Sequence, residues 1–261
     1  REIDDVQLRL LIRPSGKRSA SKRLERDILR NDAFDQLREA LGEEGFDNLT
    51  NKTVKALSAD ISLNNLVLDN AGLQELSECD IVIHSAAAVS FDEPLDRAAE
   101  VNLMGPIRLV ETLQSLDVEP HLVMVSTCYV AGNRKGTAHE KPLSQSPFYV
   151  PLNWREETEA ARRTRSYTED DSRRSENLEK FRAEAKSELG APGISLIATK
   201  TEQIRERWVK DKMVEAGRER ATSLGFPDAY AFTKAMAEQA VQEVRGDIPL
   251  SIVRPSIIES S

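Results

Sequence analysis

The amino-acid sequence predicts an α/β protein: a doubly wound parallel sheet with crossover helices and a helical insertion. Three observations predict it. Short apolar runs recur between amphipathic stretches, small or hydroxyl-bearing residues stand where those runs end, and Tyr230 and Lys234 form a Tyr-x-x-x-Lys pair on a segment of helical character. Strands alternating with helices at this pitch build a parallel sheet, which places its sites at the carboxyl ends of its strands.

The elements follow in order. Val6 to Ile12 reads as a strand that ends at Arg13-Pro14, followed by a basic loop from Ser15 to Arg23 and a helical stretch from Leu24 to Leu41. Val54 to Ile61 reads as a short strand with Asp60 at its end. A helix near Leu73 leads into Asp80 to Ala88, an apolar strand running into the small residues Ala86, Ala87 and Ala88. Ala98 to Leu116 is an amphipathic helix carrying Asn102, and His121 to Thr127 is a strand ending in the hydroxyls of Ser126 and Thr127. From Phe148 to Leu224 the rhythm breaks. That stretch is rich in Glu, Arg, Lys and Ala, with a turn near Gly190 to Gly193, and reads as an insertion of solvated helices. The Tyr230 helix and a last strand, Pro249 to Pro255, complete a single domain over residues 1–261.

Composition narrows the function classes. A hydrophobic share of 39% with 31% charged residues fits a core plus a long polar helical region. A net charge of −8 argues against nucleic acid as the main partner. Cys79 and Cys128 fit neither a metal spacing nor a disulfide framework, which makes a reducing cytosol the default compartment. No apolar run approaches the ~20 residues that span a bilayer. The charged composition offers no clear amphipathic anchor, though peripheral contact with a membrane surface stays open.

The chemistry rests on a few residues. Tyr230 and Lys234, four apart on a helix, share one face. An ammonium beside a phenol favours phenolate, and so is expected to bring the Tyr230 proton within reach near neutral pH. That pairing suits protonation of a carbonyl oxygen while a nicotinamide delivers hydride. Ser126 or Thr127 could point a hydroxyl at the same carbonyl. Arg13, supported by Lys17 and Arg18, fits the extra phosphate of NADP, where an acidic residue would hold the ribose of NAD. Asp60 could accept from an adenine amino group, or simply serve a turn. Ala86, Ala87 and Ala88 allow close backbone approach to a cofactor. His84 reads as packed or hydrogen bonded, His121 and His139 have no partner pattern, and no metal site is assigned. The glycine-rich turn that holds a pyrophosphate is not found. The opening Arg1 to Asp5 reads as the end of a crossover helix, so the first strand and phosphate loop, and a C-terminal part, are expected outside this sequence.

Several motifs carry a resemblance: Leu11-Ile12-Arg13-Pro14, Ala59-Asp60-Ile61-Ser62, His84 to Phe91, Asn102 to Gly105, Val125 to Val130, the tyrosine helix, and Ile252 to Ser260. Together with the long interval between Thr127 and Tyr230, they resemble the fatty acyl-CoA reductases, extended short-chain dehydrogenases related to the male-sterility proteins. The resemblance implies a Rossmann fold, NADPH as donor and a long-chain acyl-CoA as substrate, reduced to the aldehyde and on to the fatty alcohol. It implies that Thr127, ahead of Ser126, bonds the thioester carbonyl, that Tyr230 donates the proton, and that Lys234 binds the nicotinamide ribose. Arg13, Arg18, Asp60, Ile61, Ala86, Ala87, Ala88, Asn102, Pro255, Ser256 and Ile257 would line the cofactor. The rival readings are a terminal thioester reductase acting on carrier-bound acyl groups, a nucleotide-sugar epimerase or dehydratase, and a non-catalytic NADP sensor.

Overall fold

The computed structural model describes residues 6–190 and 194–256. The described elements are, in order, β1 (Leu8–Ile12), α1 (Ala20–Arg23), α2 (Asp35–Thr53), β2 (Val54–Ser58), α3 (Asn70–Ser77), β3 (Ile81–His84), α4 (Leu95–Asn102), α5 (Met104–Ser115), β4 (His121–Val125), α6 (Trp154–Ser172), α7 (Ser175–Leu189), α8 (Ile194–Ser223), α9 (Ala229–Val244) and β5 (Leu250–Val253). The strands form a parallel-sheet α/β fold, as expected. β1 and β2 pair in parallel, with Leu8 opposite Val54 and Ile12 opposite Ser58. A second sheet has the order β3-β4-β5. Leu122 N bonds Pro249 O, Ser126 N bonds Val253 O and Cys128 N bonds Pro255 O, at 2.8, 2.7 and 3.0 Å, so β4 and β5 run the same way.

The chain forms two compact units, one of Arg1–Val82, Arg108–Leu122 and Asp247–Pro249, the other of Ile83–Ile107, Val123–Gly246 and Leu250–Ser261. In the first, Ile12, Ala20 and Leu24 form a core, packed by Leu10, Ile28, Leu29, Val54 and Ala56. The helix expected from Leu24 to Leu41 is instead a π turn (Leu24–Ile28), a 3-10 turn (Asp32–Phe34) and then α2, which runs on to Thr53. β2 stops at Ser58, short of Ile61. Asp60 turns the chain there, its Oδ1 accepting from the Ser62 amide at 2.9 Å and the Ser62 hydroxyl at 2.6 Å.

In the second unit α9 is the buried centre, with α4, α6 and α8 packed on it. The single helix expected from Ala98 to Leu116 breaks at Leu103. Pro106 explains the break: its ring excludes the carbonyl of residue 102 from a continuing helix, but is tolerated in the first turn of a new one.

The insertion is not merely solvated helices. Trp154, Ala161, Thr168 and Ser172 on α6 and Ile204, Val209, Met213 and Ala221 on α8 are buried. Phe181, Ala185 and Ile204 form a further core, covered by Ile197 and Trp208. α8 comes so close to α4 at Gly217 that a Cβ there would lie 2.9 Å from the Leu95 Cβ. Arg165 grips Asp96 through two bonds of 2.9 Å, Arg162 reaches Glu100 at 2.7 Å, and Arg218 reaches Asp92 at 3.0 Å. The insertion therefore docks on the start of α4 and on the loop that carries Ala86 to Ala88.

Candidate active site

The second unit assembles the predicted catalytic residues. Asp228 caps α9, its Oδ1 accepting from the Ala231 amide at 2.8 Å, and this fixes where the helix begins and so where Tyr230 stands. Thr127 follows β4, and the ladder bonds of Ser126 and Cys128 hold the backbone on both sides of it. Beyond it, Gly132 (φ 69°) lies so near the turn before α9 that a Cβ would come within 2.4 Å of the Gly225 carbonyl. No side chain fits there, and Asn133 N bonds the same carbonyl at 2.8 Å. The segment carrying Thr127 is thereby clasped to the segment leading into Tyr230.

The Thr127 side chain lies close enough to the Tyr230 phenol to act on its proton affinity. Ser126 is buried and, among the described residues, its Oγ has no partner, so of the two predicted hydroxyls the structure brings Thr127 to the phenol. Phe91 packs edge-on against the Tyr230 ring, with centroids 6.0 Å apart at 85°, and its own ring is 56% exposed.

One expectation is overturned. Lys234 does not pull the Tyr230 pKa down. Burial raises it above its ordinary value, against the effect of Thr127, with Asp228, Cys128 and Tyr129 adding to the rise. The reason lies in where the ammonium goes. Lys234 is 2% exposed and its Nζ donates to the Val125 carbonyl at 2.6 Å. Burial lowers its own pKa to about 8, against the pull of Glu238. Tyr230 is held as a neutral phenol, the form a proton donor needs, and Lys234 as a cation that gives up its proton easily.

Two charged residues around Lys234 were not singled out in the sequence. Glu238, also 2% exposed, sits one turn further along α9. Arg254, just past β5, donates to it through Nε at 2.9 Å and Nη2 at 2.6 Å, and also to the Lys141 carbonyl at 3.0 Å. The i, i+4 step from Lys234 to Glu238 was the available signal. His84 is buried as expected, but among the described residues neither ring nitrogen has a hydrogen-bond partner. Burial, with the Lys234 charge, lowers its pKa to about 4 and leaves the ring neutral. Asn102 is buried and fully engaged. It accepts from Ala88 N at 2.7 Å and donates to Ala88 O and Thr233 Oγ1, each at 3.1 Å. It braces the Ala86 to Ala88 loop against α9, and its amide has no donor left for a ligand. Pro255 has its carbonyl on Cys128 N, Ser256 is exposed, and Ile257 lies outside the described residues.

In the first unit, Arg13 has an exposed side chain and a backbone carbonyl that accepts from Arg23 Nη1 at 2.6 Å. Burial works to raise the Asp60 pKa, but the Ser62 bonds and the charges of Arg13 and Arg108 hold it below the ordinary value. With its Oδ1 on Ser62, Asp60 has Oδ2 as the oxygen not used in that turn. Arg18 pairs with Asp27 at 3.3 Å, while Lys17 is exposed and Ile61 half-buried. Among the described residues no acidic, His or Cys cluster could hold a metal ion, and no helix is long and apolar enough to cross a membrane.

The sequence profile described as "Male sterility protein", an NAD-binding domain, matches residues 1–261. The chain belongs to this family. It is 31% identical to fatty acyl-CoA reductase 2, chloroplastic, of Arabidopsis thaliana, covering 99% of this chain and 38% of that protein. It is also 31% identical to the alcohol-forming fatty acyl-CoA reductase of Simmondsia chinensis, over 98% of this chain and 46% of that one. The chain thus spans less than half the length of these relatives. Among solved structures, the terminal R domain from the myxalamid PKS-NRPS biosynthetic pathway aligns at 19% identity and a TM-score of 0.50, covering 97% of this chain and 42% of that chain. That likeness shows a Rossmann-type fold.

Proposed function

We propose that the intact protein is an NADPH-dependent reductase of long-chain fatty acyl-CoA thioesters, forming the aldehyde and then the alcohol. The observation that carries this reading is that Tyr230 and Thr127 stand together where β4 ends, Thr127 acting on the proton affinity of the phenol, one helical turn from the buried Lys234. The names of the relatives supply the substrate class.

The residues present suit a dinucleotide. In the second unit Lys234 is a buried cation able to hold ribose hydroxyls, and the Ala86 to Ala88 backbone lacks bulk that would bar a flat ring; in the first unit, taken by itself, Arg13 is an exposed cation of the kind that takes a 2′-phosphate. When bound, the cofactor supplies a hydride to the substrate carbonyl carbon. The protein's part is then positional and acidic. Thr127 and Tyr230 together hydrogen bond the carbonyl oxygen, and Tyr230 passes its proton to that oxygen as negative charge develops there. With a thioester, the tetrahedral product collapses by breaking the C–S bond as its hydroxyl proton returns to the Tyr230 phenolate. The thiolate departs and the aldehyde remains in the same pair of hydroxyls for a second round. Phe91, exposed beside the phenol, offers an apolar surface to the substrate carbons near the reacting centre.

The test feeds palmitoyl-CoA and a carrier-bound acyl thioester separately to the intact protein with NADPH, and separates the products. Alcohol from palmitoyl-CoA supports the reading, aldehyde alone shortens it to one round, and turnover of the carrier-bound substrate only replaces it. Arg13→Ala should weaken NADPH binding far more than NADH binding, measured by cofactor titration. Equal weakening of both would remove the 2′-phosphate role.

A further inference from the structure

We infer that Glu238 and Arg254 form a charge-setting pair for the catalytic ammonium: Glu238 keeps Lys234 cationic inside the fold, and Arg254 limits how strongly it does so. The inference rests on the reading of Lys234 as part of a proton-transfer site, and it assigns a task to two residues that touch neither substrate nor cofactor.

The geometry orders three charges. Lys234 and Glu238 are both buried and lie one turn apart on α9, where i, i+4 side chains are neighbours. A buried ammonium beside a bare buried carboxylate would form a tight pair, with the ammonium drawn away from Val125 and locked on. Instead the Glu238 carboxylate carries a two-pronged guanidinium, with Nε and Nη2 of Arg254 on both of its oxygens. Arg254 is itself fixed by its Nη1 bond to the Lys141 carbonyl. Lys234 therefore remains on the Val125 carbonyl and feels a carboxylate whose charge is largely spent. His84, from the end of β3, feels the ammonium and is neutral, so it offers no anion. Glu238 is the group that opposes the burial cost of Lys234, and Arg254 sets the strength of that opposition.

A purely structural pair tying β5 to α9 would behave differently. Losing either partner would then loosen the fold in a similar way and leave the Lys234 titration alone. A charge-setting pair predicts opposite shifts. Glu238→Gln removes the anion and should lower the Lys234 midpoint by about one pH unit or more, whereas Arg254→Gln unmasks the anion and should raise it. The measurement is the ¹³Cε chemical shift of Lys234 against pH in the folded protein, with the resonance assigned by its loss in Lys234→Met. Opposite shifts support the inference. Shifts of one sign, or none in either variant, overturn it. Arg254→Gln leaves a buried carboxylate uncompensated and can fail to fold, so the Glu238→Gln/Arg254→Gln double variant provides a second test. Its midpoint should fall by less than that of Glu238→Gln alone, and an equal or larger fall overturns the inference. The titration needs no turnover. A correct pattern in a protein that reduces no thioester would sink the proposed reaction and leave the charge-setting pair standing.

Discussion

Helices α8 and α9 both carry charged residues, and those residues do opposite things. α9 buries almost everything it has, from Ala229 through Val241, including Thr233, Lys234 and Glu238. α8 is nearly twice as long and buries a thin line of Ile204, Arg205, Val209, Met213 and Ala221, its other charges lying at the surface. On α9 a charge is held out of water, its proton affinity shifted and its partner fixed. On α8 most charges pair with neighbours that water could replace. Charge content alone therefore says little about function, and burial of the charge says much.

The sharpest way to break that comparison is Tyr230→Phe. It removes one hydroxyl from the buried face of α9 while keeping the ring that packs on Phe91. Reduction by the intact protein should fall by roughly 10²- to 10⁴-fold, the usual worth of a positioned proton donor. Melting temperature and NADPH affinity should stay close to wild type. Turnover within a few-fold of wild type would remove Tyr230 from the mechanism.

Lys234→Met comes next, and its two effects should have opposite signs. Activity should be lost, yet the folded state should gain stability. The folded pKa is about 8 against an ordinary 10.5. Below pH 8 both folded and unfolded chains hold the proton, and the folded one bears the full burial cost, on the order of 3 kcal/mol. Between pH 8 and 10.5 the folded chain gives up its proton while the unfolded chain keeps it, so wild-type stability rises with pH through that window. Lys234→Met should flatten that rise and be more stable than wild type at pH 7 by thermal denaturation. A variant less stable than wild type at pH 7 would mean that the Val125 bond outweighs the burial cost.

How far the molecule could be read from its sequence follows the same division. The strands were legible because apolar, β-branched runs such as Ile81 to Ile83 and Leu122 to Val125 have strand length and strand composition, even though Ile81 and Ile83 themselves stay exposed. Tyr230, Lys234 and Thr127 could be singled out because the signals that mark them are local: a helical spacing and a strand end. What failed was non-local. The preference for Thr127 over Ser126 came from the resemblance and not from spacing, because it depends on which strand-end hydroxyl meets α9. The upward pKa of Tyr230 depends on burial and on Lys234 finding the Val125 carbonyl, neither of which spacing reveals. Arg254 meets Glu238 across the turn into β5. The docked face of the insertion was hidden because Ala, Thr, Ser and a buried Arg do the packing there, where a hydropathy pattern looks for Leu and Ile.

Arg205 tests that hidden face. It is 3% exposed and reaches Glu169 at 2.6 Å, Ser172 at 2.8 Å and Glu202 at 2.7 Å, joining α6 to α8. Arg205→Leu should lower stability by about 1–3 kcal/mol, read from the denaturant midpoint, because the Ser172 oxygen loses its donor, keeping only its own bond to the Glu169 carbonyl, and a shaped cavity is refilled imperfectly. The loss stays below that of a wholly buried pair because both carboxylates are partly exposed and can be rehydrated. No change would mean that the buried guanidinium is a passenger in an interface held by Trp154 and Met213.

Lys180→Ala gives the smallest expected effect and sets the floor of the comparison. Lys180 and Glu176 are an i, i+4 pair on α7 at 2.8 Å, with side chains 65% and 81% exposed. Water screens both charges, and holding two long side chains in one arrangement costs entropy that offsets their attraction. The Lys180–Glu176 distance is close to those in the Arg205 cluster, but here one exposed ammonium meets one carboxylate, where Arg205 is a buried guanidinium with three partners. Lys180→Ala should leave the melting temperature within experimental scatter, in low salt and in high salt alike. A loss approaching that of Arg205→Leu, and disappearing in high salt, would mean that the outer charges of the insertion act as a network. Charge content on α7 and α8 would then matter to the fold as much as burial does.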